Sequence, residues 1–312
     1  MRKRLFNLRV PADGPAPSGA DTVPADIIVD GERIAAVLRP GERPVEAGEM
    51  RFDLHDRLVL PGAIDGHVHF DDPGFTHREN FGTGTRSAAA GGVTCVVDMP
   101  CTSLPPVTSR ANLANKLAEI DPQAHVDYML WGGVSANAME EPGWIANLED
   151  LVSEGVAAIK VYMLSGMDTF RDLDEANLEA VLLETRRLGV PVGVHAEDRR
   201  MVLAITDRLI DEGRDGPLDY AASRPAEAEA VAVSALRDLC RRIGARIHVV
   251  HVGSGAALNV IRAAREEGLP LSGETCPHFL EFTEDDLVAQ GSLLKTAPVV
   301  KTAEDRDRLW AG

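Results

Sequence analysis

Apolar and polar positions alternate in two different ways along this chain, and the change divides it into two regions. Residues 1–55 carry short apolar runs, including 26–30 and 34–38, separated by loops rich in Pro and Gly, which indicates a small β unit. From Leu58 onward, apolar runs of strand length alternate with amphipathic segments of helical length. That alternation is typical of a parallel sheet with helices outside it, so we predict a larger α/β domain over residues 56–312.

Seven strands and eight helices are predicted for the α/β domain from these periods. The strands are 58–68, 93–99, 125–131, 157–163, 191–196, 246–252 and 269–275. The helices are 80–91, 108–120, 144–154, 174–189, 198–213, 225–243, 255–267 and 303–310. A closed (β/α)₈ barrel has eight strands, so we expect a TIM-like (β/α)₈ barrel that lacks its last strand in this chain. We favour a polypeptide that normally continues, because unpaired first and seventh strands would leave edges prone to aggregation.

Composition excludes several classes of protein. The net charge of −17 over 312 residues repels phosphate backbones, so we expect no nucleic-acid partner. Apolar stretches fall short of the roughly 20 residues needed to cross a bilayer, and early prolines interrupt the basic N-terminus before a signal sequence can form. The four cysteines lack the C-x-x-C spacing of a zinc site and predict reduced thiols in a cytoplasmic protein without a membrane segment.

Histidines stand at the ends of three predicted strands, where the catalytic groups of such barrels lie. His67 and His69 are two residues apart and therefore face the same side of the first strand. The fifth strand ends near His195, and the sixth carries His248 and His251. Because neutral imidazole is the commonest nitrogen ligand of divalent ions, we predict a metal site here. For His67 and His69 alone, a hydrogen-bonded structural pair is the alternative.

The fourth predicted strand contains a lysine, Lys160, inside an otherwise apolar run. Burial of an ammonium is costly and lowers its pKa, which exposes a nucleophilic amine. Such an amine can capture carbon dioxide as a carbamate, whose two oxygens can bridge two divalent ions about 3.5–4 Å apart. The alternative is a lysine whose stem lies along the strand while its head reaches solvent. With four histidines at strand ends, we favour a binuclear centre.

The remaining histidines are expected in other roles. His248 and His251 are three residues apart and face opposite sides of one strand, so we choose His251 as the ligand and expect His248 to pack against a helix. His278 lies just past the seventh strand and is either a contact to substrate or metal ligand, or an ordinary loop residue. The turn Gly253-Ser254-Gly255 is either a phosphate cradle or a tight connection. Surface positions are expected for His55, His77 and His125.

Four motifs point to one group of enzymes. They are Pro61-Gly-x-Ile64-Asp65-x-His67-x-His69, Gly82-Thr-Gly-Thr-Arg86-x-Ala88-Ala-Ala-Gly91-Gly92, Ser223-Arg224-Pro225 and Cys276-Pro277-His278. From about residue 55 to 312 the chain resembles the cyclic amidohydrolases of the amidohydrolase superfamily, namely dihydroorotase, allantoinase and hydantoinase. The resemblance implies a small β-sandwich built from both termini and a binuclear zinc barrel, with these ligands: His67, His69, carboxylated Lys160, His195 and His251.

The resemblance also implies a reaction and an assembly. A metal-bridged hydroxide would attack a ring amide carbonyl that one ion polarises. An aspartate after the eighth strand would serve as metal ligand and general base, and we expect it beyond Gly312. The family further implies a homo-oligomer, either a dimer or a tetramer.

Substrate choice is read from three loop positions. Dihydroorotase-like proteins carry an arginine two residues after the second histidine and asparagines in the loops matching Cys101 and Ala297, and together these grip a carboxylate. Asp71, Cys101 and Ala297 stand there in this chain, so the dihydroorotate carboxylate would be poorly paired. With His278, these are the predicted substrate-binding positions.

Two further stretches, 98–106 and 219–225, look more like allantoinase, whose substrate is a neutral hydantoin bearing a ureido group. We therefore expect a hydrolase that opens a cyclic ureide or imide such as allantoin. Dihydroorotase and hydantoinase or dihydropyrimidinase activity are the alternatives of the same class. A catalytically inactive homologue that serves as an assembly partner is the alternative of another class.

Overall fold

The structure is a computed structural model that describes residues 2–12 and 22–312. It divides into two compact units, Met1–Ala63 and Ile64–Gly312. None of the helices in the described part of the chain is long and apolar enough to cross a membrane.

A four-stranded sheet forms the first unit. Its strands are β1 (Arg2–Pro11), β2 (Thr22–Asp30), β3 (Arg33–Leu38) and β4 (Met50–Leu58), in the order β3-β2-β1-β4. β1 is antiparallel to β2 and parallel to β4. The reversal between β2 and β3 places Gly31 at φ +61°, a left-handed conformation that glycine adopts without steric cost. Both apolar runs predicted in this region are thereby confirmed as parts of β2 and β3.

The second unit carries the strands of a barrel in chain order. They are β5 (Ala63–Val68), β6 (Val93–Asp98), β7 (Asp127–Leu130), β8 (Gly132–Gly133), β9 (Ile159–Tyr162), β10 (Val192–His195), β11 (Ile247–Val249) and β12 (Leu271–Gly273). They form one sheet of order β5-β6-β7 and another of order β8-β9-β10-β11-β12. β7 lies within the predicted strand 125–131 and β8 lies just beyond its end, so all seven predicted strand positions are occupied. The prediction of 58–68 began too early, because Leu58 still belongs to β4.

Helices connect these strands. They are α1 (Phe81–Ala90), α2 (Arg110–Ile120), α3 (Ala136–Glu140), α4 (Trp144–Ser153), α5 (Glu175–Leu188), α6 (Arg199–Asp211), α7 (Pro217–Ser223), α8 (Ala226–Ile243), α9 (Gly255–Glu266), α10 (Pro277–Glu281), α11 (Glu284–Gln290) and α12 (Ala303–Ala311). All eight predicted helices are present. The sequence missed α3, α7, α10 and α11, because segments of five to seven residues are too short for a helical period to stand out.

Polar side chains set where several helices begin. The side chains of Asn80, Ser109, Asp174, Asp198 and Ser254 each accept a hydrogen bond from a backbone N–H in the first turn of the helix that follows. Such caps satisfy donors that have no partner within the helix and contribute about 1 kcal/mol each. Asp198 and Ser254 follow closely on the ends of β10 and β11, so these two caps also keep the loops after those strands short.

The main core lies between the strands and the helices outside them. The long helix α8 illustrates how the sequence produces this packing, because its buried positions recur every three or four residues. These buried positions include Ala228, Ala232, Val233, Leu236, Leu239, Cys240 and Ile243. On the sheet, Ile159, Val161, Val192 and Val194 belong to the same buried cluster.

Glycine is required where a bulky residue fills the interior next to a strand. A Cβ added at Gly193 in β10 would lie 2.6 Å from the ring of Trp131. We expect Gly193→Ala to cost about 1–3 kcal/mol of unfolding free energy through overpacking, measured by urea denaturation. Gly166→Ala is the matched control, because nothing lies within 4 Å of an added Cβ there. Equal stability of the two variants would contradict this account.

Candidate metal centre

The four histidines predicted as ligands lie together at one end of the barrel, in two pairs. The Nε2 atoms of His67 and His69 are 3.2 Å apart, and Nδ1 of His195 lies 3.0 Å from Nε2 of His251. The rings of His67 and His251 have centroids 5.3 Å apart, so the two pairs adjoin each other. The sequence therefore predicted correctly which histidines meet.

Strand ends bring these side chains together. His67 lies in β5 and His69 follows its last residue, while His195 is the last residue of β10. His251 follows the end of β11 and adopts φ +44°, a left-handed conformation that is uncommon outside glycine and is typical of functional sites.

Ionised carboxylates fix the tautomer of one histidine in each pair. Nδ1 of His67 lies 2.6 Å from Oε1 of Glu274, and Nε2 of His195 lies 2.7 Å from Oε2 of Glu197. Burial alone would raise the pKa of each carboxyl, but the hydrogen bonds and charges of the neighbouring histidines and, for Glu197, of Arg224 lower both to about 2. An ionised carboxylate only accepts, so each histidine donates its outer N–H and keeps the lone pair of its inner nitrogen free.

The other two histidines differ in what they contact. Nδ1 of His69 lies 3.1 Å from Oγ1 of Thr102. Nδ1 of His251 is buried and has no hydrogen-bond partner in residues 2–12 and 22–312. In three of the four histidines a side chain therefore engages the outer nitrogen and directs the inner nitrogen towards the second member of its pair.

Lys160 lies in the interior of the barrel, as the sequence predicted, and its side chain is fully buried. Its Nζ has no hydrogen-bond partner among the described residues and stands 4.8 Å from the centre of the Tyr162 ring. Burial lowers the pKa of this amine to about 8. The reading in which the lysine head reaches solvent is therefore wrong, because the strand position buries the whole side chain.

The spacing of the histidines fits zinc ligation in pairs. With Zn–N bonds of about 2.0–2.1 Å, two nitrogens of a tetrahedral site stand about 3.3 Å apart, close to the 3.2 and 3.0 Å of the two pairs. Within residues 2–12 and 22–312, no set of three or more His, Cys, Asp or Glu side chains is placed to hold a single ion alone. Each pair thus needs a further ligand, and a group shared by both pairs would serve.

His248 does not pack against a helix, and that prediction was wrong. It stands in register with Gly193 and Ser272, and Gly193 in turn pairs with Lys160, so His248 shares the interior face with the lysine. Its Nε2 lies 3.2 Å from Oε2 of Glu274. The alternation argument failed because β11 ends at Val249 and the backbone turns before His251.

The four predicted substrate-binding positions differ in their burial and in their contacts. Asp71 is buried and accepts a hydrogen bond of 2.9 Å from Arg78. Cys101 is fully buried, with its Sγ 3.1 Å from the hydroxyl of Tyr162. His278 is half-buried and its Nε2 has no partner, while Ala297 is exposed. Of the four, Cys101 contacts the histidine cluster, with its Sγ 3.8 Å from Nδ1 of His69, and Asp71 follows His69 by two residues in the sequence.

Two further expectations concern the remaining histidines and the cysteines. His55, His77 and His125 are exposed, which confirms them as surface residues. All four cysteines are free thiols, as the sequence predicted.

In the turn Gly253-Ser254-Gly255, both glycine N–H groups already donate to carboxylates. The N–H of Gly253 donates to Oε1 of Glu229 at 3.3 Å, and the N–H of Gly255 donates to Oδ1 of Asp305 at 3.0 Å. Two carboxylates at these amides repel an anion. The turn is therefore a tight connection that follows His251, and the phosphate-cradle reading is wrong.

A buried ion pair that the sequence reading missed supports the loop after β6. Nζ of Lys116 in α2 contacts Oδ2 of Asp98 and lies 2.6 Å from Oγ of Ser103. Oδ1 of Asp98 accepts a hydrogen bond of 2.9 Å from the N–H of Phe70. Both charged side chains are almost completely buried. The pair therefore joins Phe70, which follows His69, and Ser103, which follows Thr102, in one hydrogen-bonded network.

Helix α1 packs closely on the segment that follows β5. The ring of Phe70 lies edge-on to that of Phe81, with centroids 5.5 Å apart. A Cβ at Gly84 would stand 2.6 Å from Cδ1 of Phe70. The Gly-rich motif of α1 thus admits the aromatic ring next to His69.

Comparison with known proteins agrees with this fold. Residues 58–288 match the model of the amidohydrolase family. An allantoinase from Rubrobacter xylanophilus is 42% identical over 83% of this chain and 56% of that protein, and one from Streptomyces avermitilis is 40% identical over 93% of this chain and 63% of that protein. An L-hydantoinase (dihydropyrimidinase) from Arthrobacter aurescens superposes with a TM-score of 0.89 at 28% identity, covering 99% of this chain and 65% of that one.

The fold and the site define an α/β protein of the TIM-barrel type that gathers histidines at its strand ends. Together with the match over residues 58–288, this shows that the chain belongs to the amidohydrolase family, whose members generally use a divalent metal site. The chain spans about six tenths of the length of the curated relatives it matches.

Proposed function

We propose that the protein holds two divalent ions, zinc in the first instance, bridged by Lys160 in its N6-carboxylated form. One ion would be held by His67 and His69, and the other by His195 and His251. The observation that carries the proposal is the meeting of two histidine pairs around a buried amine that has no partner. When bound, two such ions activate water at neutral pH and polarise a carbonyl oxygen.

The electrostatics of the chain support a neutral, ligand-competent histidine cluster. Burial lowers the pKa of all four histidines, and the nearby charge of Lys160 lowers it further. Neutral imidazole is the form that ligates a metal. Conversion of the ammonium to a carbamate would replace the central positive charge by a negative one, which suits two cations.

We propose further that the reaction is hydrolytic opening of a cyclic ureide such as allantoin. The curated relatives named above are allantoinases. Asp71 and Arg78 neutralise each other across 2.9 Å, and Cys101 is buried, so these positions supply no free cation for a substrate carboxylate. A neutral ring substrate fits better than dihydroorotate. Hydantoin or dihydropyrimidine opening is the alternative that the structural neighbour favours.

The finer architecture and setting are part of the same proposal. The four-stranded sheet would be one portion of a β-sandwich, and residues 56–312 would form the catalytic barrel, completed by an eighth strand. The general-base aspartate would follow that strand, beyond Gly312. The free thiols suit a reducing, cytoplasmic location, and a homodimer or homotetramer is the assembly we expect from the family.

A substrate panel tests the proposed reaction. Protein loaded with zinc and bicarbonate is assayed on allantoin, dihydroorotate and a 5-substituted hydantoin, and turnover should be fastest on allantoin. His67→Ala should lower the turnover rate by more than about 100-fold. Replacing only an outer partner of a metal ligand already lowers metal affinity or activity by 10–100-fold. His77→Ala, which alters an exposed histidine, is the control. Turnover of dihydroorotate alone would contradict the substrate assignment, and turnover of none would favour an inactive assembly partner.

A further inference from the structure

We infer that Glu197 and Arg224 act together as positioning residues for His195 and thereby set the affinity of one of the two metal positions, independently of the other. This inference rests on the proposed metal centre and adds residues that neither contact substrate nor ligate. The pair connects a strand end to the junction between α7 and α8.

Glu197 is held at a single oxygen. Its Oε2 lies 2.7 Å from Nε2 of His195 and 2.6 Å from a guanidinium nitrogen of Arg224. The side chain is fully buried, and Oε1 has no hydrogen-bond partner. Within the described part of the chain no other hydrogen bond holds this carboxylate, so its orientation towards His195 depends on the contact with Arg224.

Arg224 is itself anchored by a third segment. It lies between the end of α7 and Pro225, which precedes α8. Its carbonyl oxygen accepts a hydrogen bond of 2.5 Å from Nζ of Lys301, and its guanidinium lies 5.6 Å from the ring centre of Tyr220. The arginine is thus fixed at both its backbone and its side chain.

The consequence reaches the inner nitrogen of His195. With Glu197 ionised and aligned, the proton of His195 stays on Nε2 and the lone pair of Nδ1 points towards Nε2 of His251, 3.0 Å away. Without Arg224, the carboxylate is a buried charge with one partner fewer. It is then free to turn, and the ring loses the group that fixes its tautomer.

The other pair has its own support. Glu274 binds His67 at 2.6 Å and is held by His248 at 3.2 Å, with neither contact involving Arg224. Loss of Arg224 should therefore weaken only the position built on His195 and His251. A general structural disturbance would weaken both positions.

Zinc titration of the bicarbonate-treated protein tests the inference. The wild type should bind two ions, whereas Arg224→Gln should bind one ion with unchanged affinity and the other 10–100-fold more weakly. Arg214→Gln is the matched control, because Arg214 pairs with Asp219 at the surface. If Arg224 acts through Glu197, adding Arg224→Gln to Glu197→Gln should cause little further loss, and this comparison also serves if the single arginine variant folds poorly.

The possible outcomes distinguish a failure of this inference from a failure of the proposed metal centre on which it rests. A wild type that binds no zinc would remove the metal centre and the inference with it. Two ions bound equally well by wild type and Arg224→Gln, or a uniform weakening at both positions, would overturn the inference alone. Fully additive losses in the double variant would show that Arg224 does not act through Glu197.

Discussion

If the proposed metal centre is present, replacement of Lys160 by methionine is expected to remove both of its ions and the proposed turnover. The change keeps an apolar stem of similar length in the fully buried position but deletes the amine that would carry the bridging carbamate. Each histidine pair would be left with two protein ligands, fewer than a stable zinc site needs. Metal content of the purified protein, measured with the hydrolysis rate, checks this result.

Lys295→Ala provides the control for the loss of a lysine, because Lys295 is exposed. The wild type prepared without carbon dioxide should also have a low metal content, and its metal content should recover when bicarbonate and zinc are added. A Lys160→Met protein that retains two ions per chain would show that the bridge is not needed and would end the carbamate proposal.

Loss of the buried Lys116–Asp98 pair is expected to have the largest effect on stability. Lys116→Met leaves the carboxylate of Asp98 buried without its cation, which costs about 3–5 kcal/mol of unfolding free energy. Burial already raises the pKa of Asp98, so the orphaned group would tend to protonate. Urea denaturation monitored by circular dichroism measures the change.

An exposed ion pair is the comparison for this stability prediction. Arg187 pairs with Glu149 and is half exposed, so Arg187→Met should change stability by about 0–1 kcal/mol. If Lys116→Met were as mild as the surface variant, the buried pair would not be stabilising the loop between β6 and α2.

The sequence was sufficient to predict the positions of the strands and which four histidines meet, because apolar runs and the histidines near their ends are local features. Apolar runs with terminal histidines mark strand ends, and parallel strands in a barrel bring those ends to one edge. Lys160 was recognisable for a similar reason, since a charged side chain inside an apolar run is costly to bury and therefore uncommon.

The groups that orient the histidines were harder to predict. Glu274 lies 207 positions from His67, and no local pattern relates two residues so far apart. Glu197 did carry a signal, because it is two residues after His195 and in extended backbone shares its side. His248 was misplaced because alternation holds only within a strand, and β11 ends before His251.

The contact between Gly84 and Phe70 has a consequence for engineering new specificity. Since the aromatic ring fills the space that any larger residue at Gly84 would need, the segment after His69 and helix α1 are one interlocked piece. A designer who grafts that segment from another hydrolase should transplant the helix with it, or the ring will clash and shift the neighbouring imidazole.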